Sequence, residues 1–215
     1  KNEIKNYDLA IFIRFSSLSS SSSSSSTTNP DAGIDDLKFV KPYIIQPDSS
    51  STSRPQVGVI ILHKSAGINK YGIKNNKKEY FKYLFLHEFT HLLGFTTEYL
   101  SGNGLVQNFL VENIVGATPR QRKFVKSGRV LNHTQVYFGC PDAKGIELDE
   151  RMNFEGLKDC HWSGRFLLGE YMASEPYFDD QVISEFTLLL LEDLGFYETN
   201  KYTGGLMKFG KNQGC

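Results

Sequence analysis

In this chain of 215 residues, the segment from Glu79 to Gly94 constrains the fold more than any other. Tyr80, Leu84, Leu86, Phe89, Leu92 and Leu93 fall broadly at spacings of three and four, the repeat of an apolar helical face, and Gly94 stands where a helix often stops. His87-Glu88-Phe89-Thr90-His91 is set into this stretch. On a helix, residues i and i+4 lie one turn apart on the same side, so both imidazoles can reach one ion at about 2.0–2.1 Å from each nitrogen. Without such a partner, two imidazoles among leucines and a phenylalanine would be costly to bury. Glu88 is offset by one residue, which places its carboxylate beside the ion, where it can take a proton from a bound water. Neutral imidazoles preserve the Lewis acidity of zinc, and an open position takes a water whose pKa falls towards about 7.

A catalytic zinc site needs a third protein ligand. Three residues beyond Gly94 stands Thr97, a poor zinc ligand, so either a long insertion postpones a third histidine or the ligand is of another type. His133 and His161 lie downstream. His161 is followed by Gly169-Glu170-Tyr171-Met172-Ala173-Ser174, a turn-like stretch in which Met172 could lie beneath the site, whereas His133 belongs to the sequon Asn132-His133-Thr134. This favours His161. A carboxylate on a later helix, Glu185, is the competing ligand.

The rest of the chain reads as an α+β layout with a mixed sheet, an active-site helix and a helical C-terminal part. Asp8 to Phe15 is β-branched and aromatic and predicts a largely buried strand, and Val57 to His63 predicts another. A serine-rich stretch over 16–30 cannot bury enough surface to offset its ordering entropy and is expected to be a mobile loop, and Pro47 to Pro55 reads as a second loop rich in serine. The region from Ser101 to Asp159 reads as loop-rich, with a short helix around Val106 to Val115. Ser184 is placed to cap a helix over Glu185 to Leu194, with Gly195 as its stop. The expected organisation is one domain over 1–215: an N-terminal part to residue 95, an insertion over 96–160 and a C-terminal part over 161–215.

Charge excludes some partners. With 24 Lys and Arg against 24 Asp and Glu there is no basic field for nucleic acid. No apolar run approaches the roughly 18 residues of a membrane span, and the opening Lys1-Asn2-Glu3 is not a signal peptide, so any targeting segment is expected outside this stretch. Cys140, Cys160 and Cys215 are too few for a disulfide scaffold and leave the redox compartment open.

The run from His87 to Phe95, the long insertion, His161-Trp162 and Met172 resemble the leishmanolysin family of metzincin peptidases. The likeness continues through Tyr137-Phe138-Gly139-Cys140, through Ser184-Glu185 to Leu191-Glu192-Asp193-Leu194-Gly195-Phe196-Tyr197, and through Gly204-Gly205-Leu206-Met207 to Gly214-Cys215. The resemblance implies a metzincin-like fold that cleaves peptide bonds, one Zn2+ held by His87, His91 and His161, Glu88 as general base and Met172 as the Met-turn. It implies that Val57 to His63 is the edge strand that pairs with an extended peptide substrate. It also implies a secreted or cell-surface protein, with a prosegment or membrane attachment outside the chain. Cys160, immediately before the third histidine, departs from the family pattern. A Cys140–Cys160 bridge closing the insertion is the expectation, in preference to Cys160 acting as a ligand, because adjacent residues seldom both aim at one ion. A reading of a different class is a non-catalytic zinc-binding adhesion or assembly module that keeps the peptidase fold.

Overall fold

The computed structural model describes residues 9–16, 41–45, 53–63, 78–111, 119–150, 160–174, 181–201 and 206–215. The serine-rich stretch after Ser16 and most of Pro47 to Pro55 lie outside them. The chain separates into two units, Lys1–Asp48 with Pro55–Leu92, and Ser49–Arg54 with Leu93–Cys215.

Among the described residues, the first unit holds a three-stranded mixed sheet and a helix. Its strands are β1 (Ala10–Ser16), β2 (Lys41–Ile45) and β3 (Val57–His63), and its helix is α1 (Lys78–Leu92). β3 lies in the middle, parallel to β1 and antiparallel to β2. This corrects the expectation of an edge strand: the backbone of β3 is engaged on both sides and has no open ladder to offer a peptide. β1 is also less buried than its composition suggests, with Phe12 and Ile13 both 51% exposed. Side chains alternate along a strand, so Gly58 and Ile60 share the buried face of β3. A Cβ on Gly58 would stand 2.7 Å from Leu92 Cδ1, so the absent side chain is what lets the end of α1 lie against the strand.

The second unit is α+β. It contains α2 (Thr97–Gly102), β4 (Val106–Val111), β5 (Arg120–Val125), α3 (Gly128–Phe138), β6 (Ile146–Glu147) and α4 (Glu185–Asp193). Gly94, at φ +114°, turns the chain before α2, whose cap is Thr96, accepting from Tyr99 N at 3.4 Å. Val106 to Val111 is a strand, not the start of a helix, because its β-branched and aromatic residues pair in register with Arg120 to Val125 and β5 then takes β6 on its other side. The stretch that reads as loop-rich also holds α3. Its apolar residues Val130 and Tyr137 are buried, while its first turn contains no acidic residue to announce it.

That missing signal comes from another helix. Asp193 Oδ2, near the end of α4, accepts from the Arg129 and Val130 amides at 3.0 and 3.2 Å, so α4 supplies the N-terminal acceptor that α3 lacks in its own sequence. The two helices pack through Phe186, whose ring meets those of Tyr137 and His133 at 5.2 and 4.6 Å. α4, expected over Glu185 to Leu194, is Glu185–Asp193, with Ser184 as N-cap, Leu194 as C-cap and Gly195 following at φ +82°. The core of this unit is Phe95, Leu100, Val125, Val130, Ile146, Leu148, Trp162, Leu167, Met172, Phe186 and Leu190.

Candidate metal centre

The first candidate segment is the last two turns of α1. His87, Glu88 and His91 are 8%, 4% and 0% exposed. The one-turn offset brings His87 Nε2 and His91 Nε2 to 3.1 Å, with the rings at 80°. Two ligands at 2.0–2.1 Å from a tetrahedral ion would be about 3.3 Å apart, so the pair suits one zinc. Thr90 Oγ1 donates to Leu86 O at 2.7 Å, a bond back to the helix backbone one turn earlier.

The second candidate segment is a loop of the second unit, and its order comes from backbone bonds to its surroundings. Asp149 N donates to His161 O at 2.9 Å and Ser163 N to Glu147 O at 3.0 Å, which lays 161–163 alongside β6 and the residues after it. Trp162 N donates to Met172 O at 2.9 Å, and Ser174 N donates to Trp162 O at 3.3 Å. Met172, fully buried, is therefore tied by its backbone to the residue after His161.

Below this loop lies Glu170, 1% exposed. Its Oε2 accepts from Met172 N. Its Oε1 accepts from Ser184 Oγ at 3.0 Å, Ser184 N at 3.4 Å and Thr187 Oγ1 at 2.6 Å. Thr187 Oγ1 in turn accepts from Trp162 Nε1 at 2.8 Å. Ser184 thus occupies the N-cap position of α4, but its hydroxyl serves Glu170 instead of the helix. Burial pushes the Glu170 carboxyl up to about 7, against the opposing pull of these donors. In the sequence Glu170 reads only as one residue of a turn. The signal it carries there is an acid two positions before the methionine, in a stretch that is otherwise apolar or small.

The remaining candidates separate clearly. His133 lies beside Glu185, Nδ1 to Oε2 3.5 Å, and packs on Phe186. Its pKa is lowered by burial, with Glu185 pulling the other way. Glu185 has a half-exposed side chain and faces this histidine. The Cys140–Cys160 bridge is corrected: Cys140 pairs with Cys215. The turn at Gly139 and the bonds Asn212 N to Tyr137 O and Gly214 N to Phe138 O bring the C-terminal tail to Cys140. Cys160 is a buried thiol outside any disulfide, its sulfur 3.5 Å from Nδ1 of its own neighbour His161. Met207 is buried, as a packing residue should be. Among the described residues, His87 and His91 in the first unit and His161 in the second are the histidines whose ring nitrogens could serve a metal ion.

Comparison with known proteins gives this arrangement a family. The leishmanolysin peptidase model matches residues 40–215. A leishmanolysin homolog of Crithidia fasciculata is 28% identical over 168 residues, which cover 77% of this chain and 23% of that protein. A leishmanolysin-like peptidase of Drosophila melanogaster is 33% identical over 87 residues, 40% of this chain and 12% of its own length. Leishmanolysin of Leishmania chagasi is 24% identical over 169 residues, 77% of this chain and 26% of its own. The matched region spans about a quarter or less of these relatives. With the family match running from before β3 through the tail that holds Cys215, the chain belongs to the leishmanolysin family.

Proposed function

We propose that this chain is the catalytic part of a zinc-dependent endopeptidase. The observation that carries the reading is the pair of ring nitrogens 3.1 Å apart on α1, with the buried Glu88 directly after His87 in sequence. In the proposal His87, His91 and His161 hold one zinc ion, and Met172 supports the loop of the third histidine. Zinc, when bound, supplies Lewis acidity toward the scissile carbonyl and acidifies a water. Glu88 takes the proton of that water and returns it to the leaving amine, so no covalent intermediate with the protein is required. The substrate is a peptide or protein. Treating 1–215 as one catalytic domain, and placing the protein at the cell surface or outside the cell, are parts of the same proposal and follow the family. Among the described residues no helix is long and apolar enough to cross a membrane.

The test is digestion of a peptide library by the wild-type chain and by Glu88→Gln, with and without chelator. The wild type should cleave in a chelator-sensitive way. Glu88→Gln should retain its zinc and turn over about 10²- to 10⁴-fold more slowly, the usual worth of a general base. Cleavage by the variant at the wild-type rate would remove Glu88 from the mechanism. A wild-type chain that binds one zinc and cleaves nothing would favour the adhesion or assembly module instead.

A further inference from the structure

We propose that Glu170 is the positioning residue of the loop arm: through one buried carboxylate it fixes the Met-turn and, by way of Thr187 and Trp162, the backbone that carries His161. The inference rests on the zinc-site reading above.

The geometry supports it in three ways. First, the two carboxylate oxygens divide their work. Oε2 is spent on the Met172 amide and Oε1 on the start of α4, through Ser184 and Thr187, so the carboxylate bridges a turn to a helix. Second, the chain of bonds does not stop there. The Thr187 hydroxyl that donates to Glu170 also accepts the indole N–H of Trp162, and Trp162 is covalently next to His161 and backbone-bonded to Met172. Third, every member is buried: Glu170 is 1% exposed, and Trp162, Met172, Ser184 and Thr187 are each 0%. A buried polar network in which each donor meets an acceptor fixes one arrangement of its loop, because any displacement strands a polar group away from water. Helix α1 needs no such device, since its two histidines are spaced by the helix itself. A loop that carries a ligand has no intrinsic geometry, and partners behind metal ligands typically govern metal affinity by about 10- to 100-fold.

Glutamine at 170 would keep the shape but replace one oxygen with an N–H₂ group. Whichever way the amide turns, it sets a donor against either the Met172 amide or the Ser184 amide. Thr187→Val removes the relay hydroxyl at nearly constant volume, and Thr187→Ser keeps it.

The experiment uses the full chain, zinc as the metal, and chelator competition for affinity. It adds kcat and KM on a cleaved peptide and the emission of Trp162, the only tryptophan. Glu170→Gln should weaken zinc binding by tenfold or more, lower kcat with KM little changed, and shift Trp162 emission to the red. Thr187→Val should do the same to a smaller degree, and Thr187→Ser should restore wild-type behaviour on all three readouts. If Glu170→Gln does not fold, the valine and serine pair at 187 decides the matter alone. Variants with wild-type zinc affinity and kcat, changed only in melting temperature, would reduce Glu170 to a structural residue and overturn the assignment. A wild-type chain that takes up no zinc would instead overturn the functional reading, and this assignment with it.

Discussion

The two segments that carry the proposed zinc ligands are built on opposite physical plans. On α1 the histidines are set one turn apart by local backbone hydrogen bonds, and the surroundings need only cover the helix. In the loop that carries His161 and Met172, position is imposed from residues far along the chain: Glu147, Asp149, Ser184 and Thr187 all hold it by hydrogen bonds. A helix encodes its ligand geometry in its sequence spacing. A loop borrows its geometry from a buried polar network, so the first plan tolerates change around it and the second does not.

Removing the ligand proposed for the loop should have the largest effect. His161→Ala should lose most of the bound zinc, whereas Glu185→Ala should keep it, because Glu185 faces His133. Metal content by atomic absorption separates the two. The reverse result would move the third ligand to α4.

A second test uses acidity. The Glu170 carboxyl titrates near 7 in the folded chain against an ordinary value of 4.5. The folded state therefore holds the proton more tightly, and its contribution to stability is complete below pH 4.5 and lost as pH rises through 7. Each tenfold gain in proton affinity is worth about 1.4 kcal/mol, so the loss across this window is roughly 3 kcal/mol. Urea midpoints for the wild type should fall over the same range, and Glu170→Gln should flatten that part of the profile. A wild-type profile that rises there would mean that the donors around the carboxylate outweigh its burial.

The smallest expected effect falls on the helix arm. Gly58→Ala sets a methyl group 2.7 Å from Leu92 Cδ1 and should cost about 1–3 kcal/mol as α1 is pushed from β3. Because the spacing of His87 and His91 is internal to the helix, zinc affinity should change less than the urea midpoint. Equal losses in both would show that α1 depends on its seat as much as the loop depends on Glu170.

The same difference decides what can be read from the sequence. His87, Glu88 and His91 are legible because the helical repeat and the ligand spacing are the same number. α4 is legible from Ser184 and Gly195. α3 is not, because the acid that completes its first turn is Asp193, and no local pattern announces an acceptor from another helix. β4 passes for a helix in sequence because its short mix of apolar and polar residues fits either period, and pairing with β5 decides the matter. The central place of β3 and the partner of Cys140 depend on which segments meet in space, and spacing along the chain carries no information about that. Glu170 is hidden for the same reason: three of its four donor groups come from Ser184 and Thr187.

The cap that α4 gives α3 sets an order of events in the making of the chain. Arg129 and Val130 receive their acceptor from a residue far downstream, at separations of 64 and 63. As the polypeptide leaves the ribosome, α3 is complete in sequence long before Asp193 exists, and its first amides must stay with water until then. The second unit therefore gains this cap only in a late step, which carries the loop-closure entropy of that separation. Translation stalled between the two helices would leave Val130 and Tyr137 uncovered, which makes this interval the one in which a chaperone has most to hold.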